Sequence, residues 1–386
     1  MLARLTRVIL ASALVAWFGA SGLAQPLRVR LVELNVRLGI DPPGSTPAVA
    51  TGKFLTNQAL PGAPAGTSGL KPDVVCLHEM TNDSDNLAFR DQYLPGYQYI
   101  RVNQVDAGGN FAVMLVRPDY QVLNRQERYI GGPRNMLRVT MRVPGADRLL
   151  TVYTAHFKAF GDASSTSQRR TNANSSGIFI SEDIALGLDL DGDGVRETPM
   201  GYVLLCGDLN SSNNGDGSLN GLFTNASTGQ PTGLLNLPVE SLLGRILSGD
   251  PIITTFPPAS RLDYVCTTSA LAARFSAAGN LIFTQDEINN MGFVYYSGDD
   301  SGVMSSGETS ATTNASDHRP VVFDLLLGRT CPDTNGDNVV NFADLNAVLN
   351  QFGTRGWNLS GDFNGDGNVN FADLNQVLTG IGTSCS

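Results

Sequence analysis

The sequence predicts a large mixed α/β sandwich followed by a small second module. Three observations predict it. Residues 28–326 alternate short β-branched runs with Gly/Asn/Ser/Pro turns. Several of those runs stop at residues that bind metal, move protons or hold phosphate. From Cys331 onward the composition changes, and an Asp/Asn-rich loop of one pattern occurs twice.

The strand-like runs are Arg28–Val36, Phe111–Val116, Leu137–Val143, Leu149–Ala155 and Val321–Leu327. Two more, Asp73-Val74-Val75-Cys76-Leu77 and Tyr202-Val203-Leu204-Leu205-Cys206, are apolar enough to be buried on both faces. Helical segments are fewer, and Ser167–Leu186 is the clearest candidate. Such a mixture stacks as sheets with helices outside.

The first residues stand apart. Arg4 and Arg7 form a positive start, Val8–Ala20 is an apolar stretch short for a bilayer span, and Gly22-Leu23-Ala24 supplies small residues where a signal peptidase cuts. Residues 1–24 are therefore expected to be a signal peptide, with an uncleaved anchor as the alternative. The mature chain is expected to have no transmembrane segment and to be secreted, either extracellular or at the cell surface.

Cleavage leaves about 360 residues, enough for one large domain and one small one. The chain holds 26 basic and 36 acidic residues, a net charge of −10. About −7 of that belongs to the large domain, because the tail carries one arginine and six aspartates and the leader two arginines. A protein that grips nucleic acid by charge alone is excluded. A nuclease with a bound divalent cation is not. Arginines 125, 128, 134, 138, 142 and 148 offer either a groove lining or a solvated strand surface. Cys76, Cys206 and Cys266 lie in apolar runs and read as buried free thiols, whereas Cys331 and Cys385 bracket the tail as an expected disulfide.

Six strings carry the chemistry. They are Leu34-Asn35-Val36, Leu77-His78-Glu79-Met80, Ala155-His156-Phe157-Lys158, Gly207-Asp208-Leu209-Asn210, Arg261-Leu262-Asp263-Tyr264 and Ser316-Asp317-His318-Arg319-Pro320. The three histidines of the chain fall one in each of three strings. This set in this order resembles the endonuclease/exonuclease/phosphatase superfamily, which includes deoxyribonuclease I, neutral sphingomyelinases and abasic-site endonucleases. The resemblance implies a four-layer, deoxyribonuclease I-like α/β sandwich over residues 26–328.

It also implies roles. Glu79 is the expected ligand for Mg²⁺ or Mn²⁺, with Asn35 and Asp317 beside it, since hard cations prefer oxygen. Asp208 and Asn210 match the pair that positions or activates water. Asp263 matches the aspartate that orients the histidine equivalent to His318. His156 matches a histidine that contacts phosphate or protonates the leaving group. Lys158 is a candidate phosphate contact, Asp106 a candidate acidic partner for His156, and His78 a packing residue or one supporting the site from behind.

Abasic-site endonucleases usually have asparagine at the position of His156 and a Gly-Trp-Arg approach to the fifth string. Here the approach is Phe256-Pro257-Pro258-Ala259-Ser260. Together with the export signal, this points to a secreted phosphodiesterase acting on nucleic acid. The alternatives are a lipid or small-ester phosphoesterase and, from a different class, an inactive domain carried as a scaffold component.

In the tail, Asp333, Asn335, Asp337, Asn341 and Asp344 repeat as Asp362, Asn364, Asp366, Asn370 and Asp373. Positions 1, 3, 5, 9 and 12 of each loop carry oxygen side chains, the spacing of an EF-hand Ca²⁺ loop. A helix follows each loop but none precedes it, and position 12 is Asp. In this the tail, 331–386, resembles a dockerin type I module, which implies two Ca²⁺ ions and a cohesin-like or cell-surface partner. Asp189-Leu190-Asp191-Gly192-Asp193-Gly194 starts like a third such loop, but Met200 stands at position 12, so a surface turn is the expected reading.

Overall fold

The structure, a computed structural model, describes residues 27–37, 39–40, 42, 44–56, 72–196, 198–236, 261–268, 292–294, 316, 318, 320–328, 331–334, 337, 339–354, 361, 363 and 369–385. Residues 1–24, Asp317, Asn335, Asp362, Asn364 and Asp366 lie outside that set, and with them the expectations placed there.

Twelve strands are described. They are β1 (Leu27–Asn35), β2 (Val74–Met80), β3 (Gln98–Arg101), β4 (Phe111–Val116), β5 (Gln121–Arg128), β6 (Met136–Arg142), β7 (Leu150–Thr154), β8 (Tyr202–Asp208), β9 (Leu234–Asn236), β10 (Asp263–Thr268), β11 (Gly292–Val294) and β12 (Val321–Leu327). The helices are α1 (Thr46–Thr56), α2 (Asp83–Tyr93), α3 (Ala163–Leu186), α4 (Asn220–Phe223), α5 (Phe342–Gln351) and α6 (Phe371–Gly380). One six-stranded sheet runs β11-β12-β1-β2-β4-β3 and the other β5-β6-β7-β8-β10-β9. Within them β1 is parallel to β2 and β7 to β8, and the remaining pairs are antiparallel.

The two-residue period of the strands sorts the core. From β8, Tyr202, Leu204 and Cys206 join the main core with residues of the first sheet, while Val203 and Leu205 join a second cluster with Ala173 and Ile180 of α3. Strand β10 divides the same way, Val265 inward and Tyr264 and Cys266 outward. Phe54, Leu55 and Phe89 bring α1 and α2 onto the first sheet. The result is the expected mixed α/β sandwich of two sheets between outer helices. Cys76, Cys206 and Cys266 are buried and free.

In the tail, Val340, Val348, Phe363, Val369 and Val377 form a third small core. Cys331 and Cys385 form the expected disulfide, with Cα atoms 5.8 Å apart. Among the described residues no helix is long and apolar enough to cross a membrane.

Candidate active site

The same period of two that buries the strands delivers the site. On β7 and its continuation, Val152 faces the opposite sheet, so Thr154 and His156 do as well. Asp208 follows Cys206 on β8, and Asp263 precedes Val265 on β10. Because β7 and β8 are parallel and Asp263 pairs with Asp208 in register, these side chains meet at one end of the sandwich. Asn35 arrives at the same end from β1, in register with His78.

Glu79 breaks the alternation. His78 already points inward, its Nε2 3.1 Å from Thr154 Oγ1 and 3.6 Å from Glu33 Oε1. A regular strand would send Glu79 outward. Instead its φ is +59°, and the pairing of β2 with β4 shifts register between Leu77 and Met80. The kink turns the carboxylate inward, where Oε1 accepts from Asn35 Nδ2 at 3.2 Å and lies 3.8 Å from His156 Nε2. Among the described residues, the non-glycine positions with positive φ are Arg37, Glu79, Phe160, Asn210 and Asn214, and each belongs to the site or lies within four residues of it. Such backbone costs roughly 1–3 kcal/mol per residue and gathers where function demands it. Gly207 is required for another reason: a Cβ there would collide with the Ala155 carbonyl, so only glycine lets the Asp208 and His156 strings lie this close.

Asp208 is the hub. Its Oδ2 accepts from Asn35 Nδ2 at 2.9 Å and lies 3.4 Å from His156 Nε2 and 3.6 Å from His318 Nε2. Its Oδ1 accepts from the Asn210 amide at 3.1 Å. Burial, then the nearby Asp263, push its pKa up to about 7, against the pull of His318, Asn35 and the Asn210 amide. Asp263 Oδ2 sits 2.8 Å from His318 Nδ1, which leaves Nε2 turned toward Asp208. Ser316 Oγ donates to the Asn35 carbonyl and accepts from the His318 amide, tying the last string to the first.

His156 is buried, and its Nε2 has no hydrogen-bond partner. Burial first, then Arg134, His78 and His318, hold its pKa well below the ordinary imidazole range. His78 is fully buried behind it, its ring edge-on to His156 at 5.8 Å and its pKa lowered to about 3, chiefly by burial. His78 thus supports the site from behind.

The structure corrects the expectation for Asp106. Its carboxylate accepts from the Gly108 and Asn110 amides and from Arg134 Nε at 2.9 Å; it is spent on an arginine, and His156 has Asp208 and Glu79 as acidic neighbours instead. Arg134, one of six arginines in the sequence reading, is singled out. It also donates to the Phe157 carbonyl and lines a small cleft with Glu79 and His156. The arginines do not form one groove, because Arg138 turns to the α3 side and pairs with Asp183. Lys158 lies beside the exposed Phe160, its Nζ 5.0 Å from the ring centre. Behind this loop, buried Arg169 donates to the Lys158 and Phe160 carbonyls and pairs with Asp216 at 2.7 Å, which binds Ser211 in turn. Sequence reasoning did not separate Arg134 from the other five arginines, gave Ser316 no role, and missed the Arg169–Asp216 brace.

The residues fit a hard divalent cation. Asn35 Nδ2 occupies the place between Glu79 and Asp208 where two acids need positive charge. Asp208, Asp263 and His318 offer ligand atoms within 4.8 Å of one another, and His156 Nε2, which makes no hydrogen bond, lies 3.4 Å from Asp208 Oδ2. Asp189, Asp191 and Asp193 also lie within 4.8 Å of one another, but their carboxylates accept from their own loop amides, as in an ordinary surface turn.

A family model for the endonuclease/exonuclease/phosphatase family matches residues 34–318, and the chain belongs to that family. Its members are metal-dependent phosphoric ester hydrolases, and this chain carries the acidic cluster to match. Similar solved structures include an endonuclease/exonuclease/phosphatase from Bacteroides vulgatus (16% identity, 78% of this chain, 99% of that one, TM-score 0.47). Others are Danio rerio TDP2 in complex with single-strand DNA product (14%, 77%, 98%, 0.47) and the human Nocturnin catalytic domain with bound sulfate (13%, 78%, 96%, 0.46). No curated protein matches by sequence.

Proposed function

We propose that this protein is a secreted, divalent-metal-dependent phosphodiesterase that hydrolyses DNA or RNA without sequence specificity. One observation carries the reading: Asn35, Glu79, Asp208, Asp263 and His318 converge at one end of both sheets around a buried His156 whose Nε2 makes no hydrogen bond and faces the Asp208 and Glu79 carboxylates. An inactive scaffold has no reason to keep such a set.

Glu79 would hold Mg²⁺ or Mn²⁺, with Asn35 and Asp317 as further donors, and the cation would neutralise charge on the phosphoryl oxygens. The remaining steps belong to side chains. Asp208, with its pKa near 7, takes a proton from the attacking water, and the Asn210 amide fixes its other oxygen. Asp263 orients His318 so that Nε2 faces the phosphoryl group. His156 Nε2 points at the leaving oxygen; a phosphate there is the charge that draws a proton onto the ring. Arg134, fixed by Asp106, contacts a phosphate oxygen. The tail is a dockerin-like module that binds Ca²⁺ and docks a cohesin-like or cell-surface partner.

The test is the purified full chain with Mg²⁺, Mn²⁺ or Ca²⁺ against plasmid DNA, RNA, sphingomyelin and bis(p-nitrophenyl) phosphate. Cleavage of DNA or RNA is expected. Turnover of sphingomyelin alone would contradict the nuclease reading, and turnover of none would favour the scaffold.

A further inference from the structure

We propose that Phe160, on the loop leaving His156, is a stacking platform for a base of a single-stranded nucleic acid, and that Lys158 beside it holds the adjoining phosphate, a refinement that rests on the nuclease reading above.

The chain keeps its strand alternation past the end of β7. The Phe157 amide donates to the Asp208 carbonyl at 3.0 Å, and the Phe157 ring joins the core on the α3 side. His156 and Lys158 therefore share the face turned to the site. Lys158 Nζ lies 5.0 Å from the Phe160 ring centre, which puts the ring on that side as well. Phe160 stands four positions after His156. Their Cα atoms are thus at most about 14 Å apart, the length of about four stacked nucleotides in one strand.

The loop holds this ring out in solvent against its own backbone preference. Phe160 is 73% exposed and has a φ of +77°, an unfavourable conformation for a bulky side chain. Gly161, next in the chain, would take a positive φ without penalty, yet its φ is not positive, and a Cβ there would meet nothing. The strained segment is fixed from beneath. Buried Arg169 donates to the Lys158 and Phe160 carbonyls and pairs with Asp216 at 2.7 Å, and the Lys158 amide donates to Asn172 Oδ1 at 3.3 Å. Nearer the site, the Phe157 carbonyl accepts from Arg134 at 3.1 Å and from Asn210 Nδ2 at 3.3 Å. None of these bonds covers the ring. Lone exposed rings are ordinary on protein surfaces; one on a braced, strained loop beside a catalytic histidine is placed for contact. Among the described residues Lys158 forms no ion pair, which leaves its ammonium for a phosphate.

A base inside a duplex has both faces covered by its neighbours. An unpaired base offers a face to an aromatic ring, and because every base has such a face, the contact does not read sequence. A chain of net charge −10 lacks a broadly basic surface, and stacking beside a few placed cations supplies the grip instead.

The test is fluorescence anisotropy of a labelled single-stranded oligonucleotide, titrated in Mg²⁺ with the full chain carrying His318→Ala so that the strand is not cut. Adding Phe160→Ala is expected to weaken binding about tenfold, Phe160→Trp to restore it, and Phe160→Leu, apolar but without a ring, to stay weak. Circular dichroism checks folding, and Phe160→Asn, which suits a positive φ, takes the place of Phe160→Ala if that variant does not fold. In the chain with His318 intact, kcat/KM for the single strand should fall about tenfold relative to that for bis(p-nitrophenyl) phosphate. Equal strand binding with and without the ring, full binding by Phe160→Leu, or no strand binding at all overturns the proposal. A loss seen only with phosphatidylcholine–sphingomyelin vesicles assigns the ring to a lipid surface and overturns it likewise. A chain that turns over no phosphodiester yet binds the strand through Phe160 contradicts the hydrolytic reading and supports the strand site.

Discussion

Asp208 shows how one residue is set to its task by its neighbours. Burial and Asp263 raise its proton affinity, while Asn35, the Asn210 amide and His318 favour its charged form. A carboxyl raised in this way stabilises the fold below its unfolded titration range near pH 4, and that contribution is lost as pH rises through about 7. Chemical denaturation in EDTA should therefore show native protein losing stability relative to Asp208→Asn, by on the order of a few kcal/mol, between pH 4 and 8. A difference that does not change with pH would contradict the assignment. Most of the site was legible because polar residues ending apolar strands mark where strands deliver side chains. That pattern marked the positions, the family resemblance implied that they share one site, and Asn35, His156, Asp208, Asp263 and His318 came together there. What stayed hidden depends on contacts between distant segments: the bond between Arg134 and Asp106, the hydroxyl of Ser316 on the Asn35 carbonyl, and the Arg169–Asp216 brace. The inward turn of Glu79 was hidden too, because a positive φ has no signature in a Val-Val-Cys-Leu-His-Glu run.

At the scale of elements, the strands expected at Arg28–Val36, Phe111–Val116, Leu137–Val143, Leu149–Ala155 and Val321–Leu327 differ from the observed bounds by at most one residue at either end, whereas the runs that were expected to stop at Leu77 and Cys206 continue to Met80 in β2 and Asp208 in β8. Helix α3 begins earlier than expected, at Ala163, because Asp162 caps it by accepting from the Ser165 amide at 3.0 Å. Its first turn is Ala-Ser-Ser-Thr, which carries no apolar period, so the start was legible only from the cap. Helix α3 also packs against α4 through two glycines. A Cβ on Gly177 would overlap the Gly221 carbonyl. In an exposed helix, Gly→Ala stabilises by about 0.5–1 kcal/mol. Here Gly177→Ala should destabilise by about 1–3 kcal/mol, because the obstacle is backbone. Thermal or denaturant unfolding of the variant gives the sign directly, and a gain in stability would show that the two helices have room to part.

The whole molecule joins a large core that stands on apolar packing to a tail that has little. The tail's packed residues are few, and the Cys331–Cys385 bridge closes it. Asn341 with Asp344, and Asn370 with Asp373, form matching capping boxes at the start of α5 and α6, so the duplication reaches the hydrogen bonds. If the loops hold Ca²⁺, chelation should unfold residues 331–386 and leave the sandwich folded, giving two transitions by calorimetry with Ca²⁺ restoring the lost one. A tail equally folded with and without Ca²⁺, and binding none, would remove the EF-hand reading. In the sandwich, Glu79, Asp208 and the Asp263–His318 pair are the groups proposed to carry metal-assisted hydrolysis. The most direct measurement is the rate of bis(p-nitrophenyl) phosphate hydrolysis after exhaustive EDTA treatment, after re-addition of Mg²⁺ or Mn²⁺, and in folded Glu79→Ala and His318→Ala proteins. The expected result is loss on chelation, recovery with either ion, and a fall of about 10²-fold or more in each variant. Full activity in EDTA, or near-native turnover by folded His318→Ala, would contradict it.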